Sequence, residues 1–171
     1  EARPHLVLVG GKVVARDGVA LFENSDPVPD FTRNTIHLND NIGTQSFATK
    51  AEGEKAWVQG MEMYDGYFKR AFHAELAVID GKVACDTDRD ILKVAIVDRH
   101  HATESIGIGF VKGFGLKKGA IAATTNCENQ NLVIVGTSDE EMAAATRAIQ
   151  AIGGGCVVVA DGQVLGTVPL P

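Results

Sequence analysis

Two clusters in this sequence hold side chains able to do chemistry. Arg99-His100-His101 closes an apolar run, and TTNCENQN at 124–131 places Cys127, Glu128 and Gln130 between two more apolar runs. Imidazole, carboxylate and thiol are the groups that move protons, attack carbon or bind metal near neutral pH. Adjacent histidines on a strand point to opposite faces, so His100 and His101 cannot share one metal without distortion. The plainer reading buries one of them on a hydrogen bond and leaves the other in water. Cys127 has no neighbouring Lys or Arg in sequence to lower its pKa. The 124–131 segment reads equally as a polar turn or as a site, because loops between strands serve as both.

Two other stretches imitate known sites and fail on spacing. GIGFVKGFGLKKG at 107–119 holds five glycines, but the glycine after Gly109 falls at 113, one position off a dinucleotide fingerprint. No Gly-Lys-Ser or Gly-Lys-Thr closes it as a phosphate loop. Its glycines alternate with Phe110, Val111 and Phe114, which suits a strand with bulges or a close backbone approach. Lys112, Lys117 and Lys118 then read as a solvated sheet edge. His73-Ala74-Glu75 matches half of the zinc cytidine-type deaminase motif, but the required P-C-x-x-C is missing. His5 and His37 have no partner identifiable from sequence.

Elements must position these residues, and the apolar share of 45 % with 22 % charged residues suits a globular chain that buries a core. A net charge of −6 argues against nucleic acid as a partner. No apolar stretch is long enough for a membrane helix, and no signal peptide is visible. Three widely spaced cysteines without a CxxC pair point to a reducing cytoplasm and away from structural zinc. The chain opens directly in LVLVGGKVVARDG, already strand, turn and strand, with no initiating Met, so it is expected to be part of a longer polypeptide.

LVLVGGKVVA (6–15), ELAVIDGKVAC (75–85) and CVVVADGQVLG (156–166) each set Gly-Gly or Asp-Gly between β-rich runs, the pattern of tight hairpins. ILKVAIVDRH (91–100), AIAATT (120–125) and NLVIVG (131–136) read as buried strands. Ser138 with Glu141 forms a capping box, Met142, Ala145, Ile149 and Ile152 recur at helical spacing, and Gly153-Gly154-Gly155 stops that helix, predicted over about 138–152. Residues 26–53 read as an extended connection with one short strand near Thr35–Leu38, and Glu54–Met61 as a further short helix. The fold class is therefore α+β (or α/β), with a mixed, largely antiparallel sheet.

DILKVAIVDRHHATESIGIGFVKGFGLKKGAIAATT (90–125) and NLVIVGTSDEEMAAATRAIQAIGGGCVVVADGQVLGTVPLP (131–171) together resemble the C-terminal region of the bacterial-type adenine deaminases of the amidohydrolase superfamily. The RHH, the GFVKGFGLK run, the helix start and the IGGG hairpin agree in order and spacing. The resemblance makes residues 54–171 the C-terminal domain and 1–25 a strand pair like that of the small β domain following the catalytic barrel. It implies a hydrolase of purine salvage, converting adenine and water to hypoxanthine and ammonia. A divalent metal (manganese, iron or zinc) would sit on an upstream barrel, whose His-x-His signature this chain lacks. No metal ligand, cofactor ligand or catalytic residue is expected here, and the fragment alone is expected to be inactive. A cytoplasmic homodimer is the implied assembly.

At 124–131 the sequence departs from that family, whose members commonly read SVAHDSHN. Cys127 stands where the first histidine would be, Glu128 keeps the acid, Gln130 replaces the second histidine and Asn131 agrees. The resemblance makes this loop, with His100 and His101, a candidate wall of the substrate pocket. The alternatives are a module shaping a dimer interface and a stand-alone small-molecule binding or structural module without catalysis.

Overall fold

The computed structural model describes residues 4–23, 27–64, 68–126 and 128–170. These fall into two units, Glu1–Thr32 and Arg33–Pro171. In the first, β1 (Leu6–Val9), β2 (Lys12–Arg16) and β3 (Val19–Ala20) form an antiparallel meander. Gly10 and Gly11 take positive φ in its first turn, as the Gly-Gly signal requires.

The second unit is a nine-stranded sheet built from β4 (Lys55–Tyr64), β5 (Phe68–Ile79), β6 (Lys82–Val83), β7 (Leu92–Val97), β8 (Ile106–Lys112), β9 (Ala120–Ala123), β10 (Leu132–Gly136), β11 (Gly155–Ala160) and β12 (Gln163–Pro169). Their order across the sheet is β12-β11-β9-β10-β7-β8-β4-β5-β6. Every pairing is antiparallel except β4 with β8, where Gly60 lies opposite Phe110 in parallel register. The helix α1 (Asp139–Ile152) packs on one face, and the α+β expectation holds.

The core lies under α1. Leu132, Ile134, Val97, Val157 and Val159 meet Met142, Ala145 and Ile149, all at 1 % exposure or less. Ser138 Oγ accepts from the Glu141 amide at 3.3 Å, and Gly153 ends the helix at φ 71°. Only the Ser138 half of the expected capping box forms: the Glu141 carboxylate, instead of reaching back to the cap, accepts from the Gly162 amide of the β11–β12 turn at 3.4 Å, tying the helix start to the sheet edge.

The glycine-rich stretch is β8 and the turn behind it. A Cβ on Gly113 would lie 2.1 Å from the Met63 carbonyl oxygen, and one on Gly119 2.1 Å from that of Val159. Close backbone approach explains both glycines. The amides of Gly113 and Gly115 each donate to the Asp90 carboxylate at 2.8 Å, so the donors a phosphate loop would offer are already engaged.

Three expectations are corrected. Residues 54–61 form no helix. They lie in β4, which pairs with β5 over its full length from Lys55↔Ala77 to Tyr64↔Phe68, and this long-range ladder overrides local helix propensity. Thr35–Leu38 forms no strand. It is tied to the loop after β7 by two backbone bonds, His37 N to Arg99 O (2.7 Å) and Ala102 N to His37 O (3.0 Å), and by the Arg99 guanidinium donating to Thr35 at 3.4 Å. The three lysines mark no edge: Lys112 ends β8, interior between β7 and β4, and Lys117 and Lys118 precede β9, interior between β11 and β10. Lys112 lies over the Phe72 ring at 5.6 Å, Lys117 donates to the Thr87 carbonyl, and Lys118 pairs with Asp161 at 2.6 Å. Among the described residues no helix is long and apolar enough to cross a membrane.

Candidate functional site

Antiparallel pairing of β7 with β10 sets Val97 opposite Leu132, so the loop leaving β7 and the loop entering β10 emerge side by side. The two clusters nominated by sequence therefore meet at one end of the sheet. Gln130, in left-handed conformation at φ 61°, turns its carbonyl toward the first loop. Arg99 Nε donates to that oxygen at 2.5 Å, and His100 Nε2 lies 2.9 Å from it. A carbonyl only accepts, so Nε2 of His100 carries the proton in this bond. The Arg99 amide donates to Asn131 Oδ1 at 3.4 Å.

Asp98, just past β7, organises the rest. Its carboxylate accepts from the Thr103 hydroxyl at 2.7 Å, the His100 amide at 3.0 Å and the His101 ring at 3.4 Å. These bonds, the Thr103 hydroxyl first, hold the Asp98 carboxyl well below the usual carboxylate range. Neither His100 nor His101 lies on a strand and both are exposed, so the opposite-faces argument and the expectation of one buried histidine are both corrected. β7 ends at Val97, and the Asp98 turn carries both rings into solvent. His37, which had no visible partner in sequence, is held here through its backbone.

In the second loop, Asn126 Oδ1 accepts from the Glu128 amide and Asn129 Oδ1 from that of Asn131, each at 2.9 Å. These are the side-chain turns that Asn favours. Glu128 is exposed and lies 3.6 Å from Lys69 Nζ on β5. Cys127 lies outside the described residues. Glu128, Gln130, His100 and His101 thus share one sheet end. They form a hydrogen-bonding rim, with acceptors on Glu128 and donors on both imidazoles, and hold no paired nucleophile and base. Among the described residues no three His, Cys, Asp or Glu side chains gather closely enough to hold a metal ion. His73 and Glu75 lie on β5, and Glu75 is taken by Lys55 at 2.9 Å.

Sequence reading missed Asp98 and Thr103, although an Asp opening a short polar loop is a turn signal. It also missed Lys93, whose position inside the apolar run LKVAIV was the visible clue. Its Nζ donates to Asp139 at 2.5 Å and to the Phe47 carbonyl at 3.2 Å, with both charged side chains nearly inaccessible. Beside this pair, a cavity of about 310 Å³ is lined by Cys85, Thr137 and Ser138. Burial pushes the Cys85 thiol up, which makes it a poor nucleophile.

Residues 67–171 match the family described as adenine deaminase C-terminal domain. An adenine deaminase of Clostridium botulinum (strain Loch Maree / Type A3) is 42 % identical over 170 residues, covering 96 % of this chain. An adenine deaminase 2 of Carboxydothermus hydrogenoformans is 41 % identical over 172 residues, and an adenine deaminase of Moorella thermoacetica 40 % over 169. The chain spans 28 to 30 % of the length of these relatives.

Proposed function

Because the chain belongs to the adenine deaminase family, we propose that it works as the C-terminal part of a hydrolase that replaces the amino group of adenine with oxygen from water. The products are hypoxanthine and ammonia. One observation carries this reading: the loops 98–104 and 124–131, far apart in sequence, are joined at a single sheet end by the bonds of Arg99 and His100 to Gln130. A divalent metal, manganese, iron or zinc, belongs in this proposal to an upstream barrel in the cytoplasmic enzyme. The described residues here do not fit one, so no step is derived through it.

In this reading the sheet end forms one wall of the purine pocket. Glu128 offers a carboxylate to the ring or amino N–H groups of the base, while Asp98 and Gln130 fix the two histidines that flank it. The chain by itself is inactive. The test exchanges this segment for the corresponding C-terminal segment of the Clostridium botulinum relative and measures ammonia release from adenine. The chimera is expected to be active and the 171-residue chain silent. In the chimera, Glu128→Gln lowers turnover at least about tenfold, the loss expected for one hydrogen bond to a charged group. Unchanged steady-state kinetics would remove the loop from the pocket, and ammonia release by the chain alone would remove the fragment reading altogether.

A further inference from the structure

β5 leaves part of its outer edge open. It lies between β4 and β6, but β6 pairs only with Val78 and Ile79, so among the described residues Phe68–Ala77 has its ladder on the β4 side alone. Across that ladder the Val78 amide donates to the Glu54 carbonyl at 2.8 Å. Backbone groups alternate in direction along a strand, so even-numbered residues of β5 turn theirs toward β4 and odd-numbered ones turn theirs outward. Two outward carbonyls are taken. That of Ala77 accepts from the Ala84 amide at 2.9 Å, and that of Glu75 accepts from Arg89 Nη2 at 2.7 Å. The amides of His73 and Glu75 also face outward, and among the described residues neither has a partner.

An open cavity of about 540 Å³ lies along this edge, lined by Trp57, Phe72, His73, Glu75, Arg89 and Lys112. Neighbouring residues of β5 line it together because a cavity at an edge meets both faces of the strand. Its charges are unequally matched. The Glu75 carboxylate is held by Lys55 at 2.9 Å, and Arg89 Nε donates to Asp86 at 2.6 Å. Among the described residues Lys112 has no carboxylate within ion-pair distance. Glu62, directly opposite it on β4, is taken by Arg70 at 2.8 Å. The Lys112 ammonium instead rests over the Phe72 ring at 5.6 Å, an unmatched cation in a chain of net charge −6. Trp57, 76 % exposed, adds a second aromatic ring.

We propose that this cavity binds a small aromatic anion of the nucleoside monophosphate class. Its phosphate lies against the outward amides of β5, where a sheet edge forms a concavity for anions, with Lys112 and Arg89 supplying charge. Its base stacks on Trp57, a contact open to any base because each has a π-face. The volume falls in the range of about 300–1,000 Å³ that small-molecule sites occupy. Arg89 stands where the amide of an added strand would bond the Glu75 carbonyl, so this edge takes a compact ligand and not another strand. The inference stands independently of the hydrolase reading and uses neither of the loops 98–104 and 124–131.

Titration of the whole chain with adenosine monophosphate, adenosine and inorganic phosphate tests this, read by calorimetry and by the emission of Trp57, the single tryptophan. The nucleotide is expected to saturate and to shift that emission. Adenosine and phosphate each bind at least about tenfold more weakly, because each keeps only part of the contacts. Lys112→Met weakens the nucleotide at least about tenfold and flattens the salt dependence of its affinity, as loss of a charge-assisted contact demands. Trp57→Ala weakens it about fivefold or more by calorimetry and leaves phosphate binding as it was. Should Lys112→Met lose its circular dichroism, Trp57→Ala still decides, since that side chain is exposed. Lys12→Met, at an exposed cation of the first unit, changes nothing. A nucleotide that never saturates overturns the proposal, as does one bound no more tightly than adenosine or phosphate. Binding indifferent to both cavity substitutions overturns it too.

Discussion

The two units are both mostly strand, yet they stand on different physical ground. In the described residues of 33–170 a helix and a sheet share a fully buried core, and the Lys93–Asp139 ion pair is buried with it. Among the described residues of the first unit no side chain is buried. Val7, Val14 and Ala15 are half-covered, while Leu8, Val9, Val19 and Phe22 face water. Three strands without a covering layer cannot offset the conformational entropy of ordering them. The difference teaches that good hairpin chemistry makes a strand pair but not a stable domain. Asp-Gly turns form in both units, at Asp17-Gly18 and at Asp80-Gly81 and Asp161-Gly162, and among the described residues only the second has a second layer.

The comparison predicts unequal sensitivity to mutation. The largest effect is expected at Lys93→Met, which leaves Asp139 buried without its cation and costs about 3–5 kcal/mol. Chemical denaturation measures it, and adding Asp139→Leu should recover most of the loss. Ser138→Ala removes the helix cap and should cost about 1 kcal/mol in the same experiment. Asp98→Asn acts locally, speeding hydrogen exchange at the His100 amide while the midpoint of unfolding barely moves. Because the folded Asp98 carboxyl lies below its ordinary value, its contribution is complete above about pH 4 and fades as pH falls further. Exchange at His100 should therefore accelerate below that pH beyond its intrinsic trend in the parent chain, and show no such extra step in the Asn variant. Smallest of all, Leu8→Ala in the first unit should shift stability by less than about 0.5 kcal/mol. A loss there as large as that of the helix cap would show that the first unit has a core after all.

Much of this organisation is legible in local sequence. The three hairpins follow from their turn dipeptides, and α1 from Ser138, the Met142–Ile149 spacing and Gly153. These signals are local because the physics is local: a positive φ or an orphan amide is satisfied within a few residues. Where sequence reading failed, the deciding partner was distant. β4 carries Glu54, Ala56 and Met61 in or beside it and looks helical until β5 pairs with it. Lys93 needs an Asp 46 positions away. At the candidate site the structure sets Glu128, Gln130, His100 and His101 at one sheet end, but Asp98, which orients two of them, gave only an ordinary turn signal.

Lys93 also joins three pieces of chain at one point: its own strand, the first residue of α1, and the short turn ending at Phe47. A cation out of reach of solvent ions keeps its grip at any ionic strength. Neither the strand of Lys93 nor the start of α1 can loosen alone without stranding a charge, so the helix and the central strands must let go together or not at all.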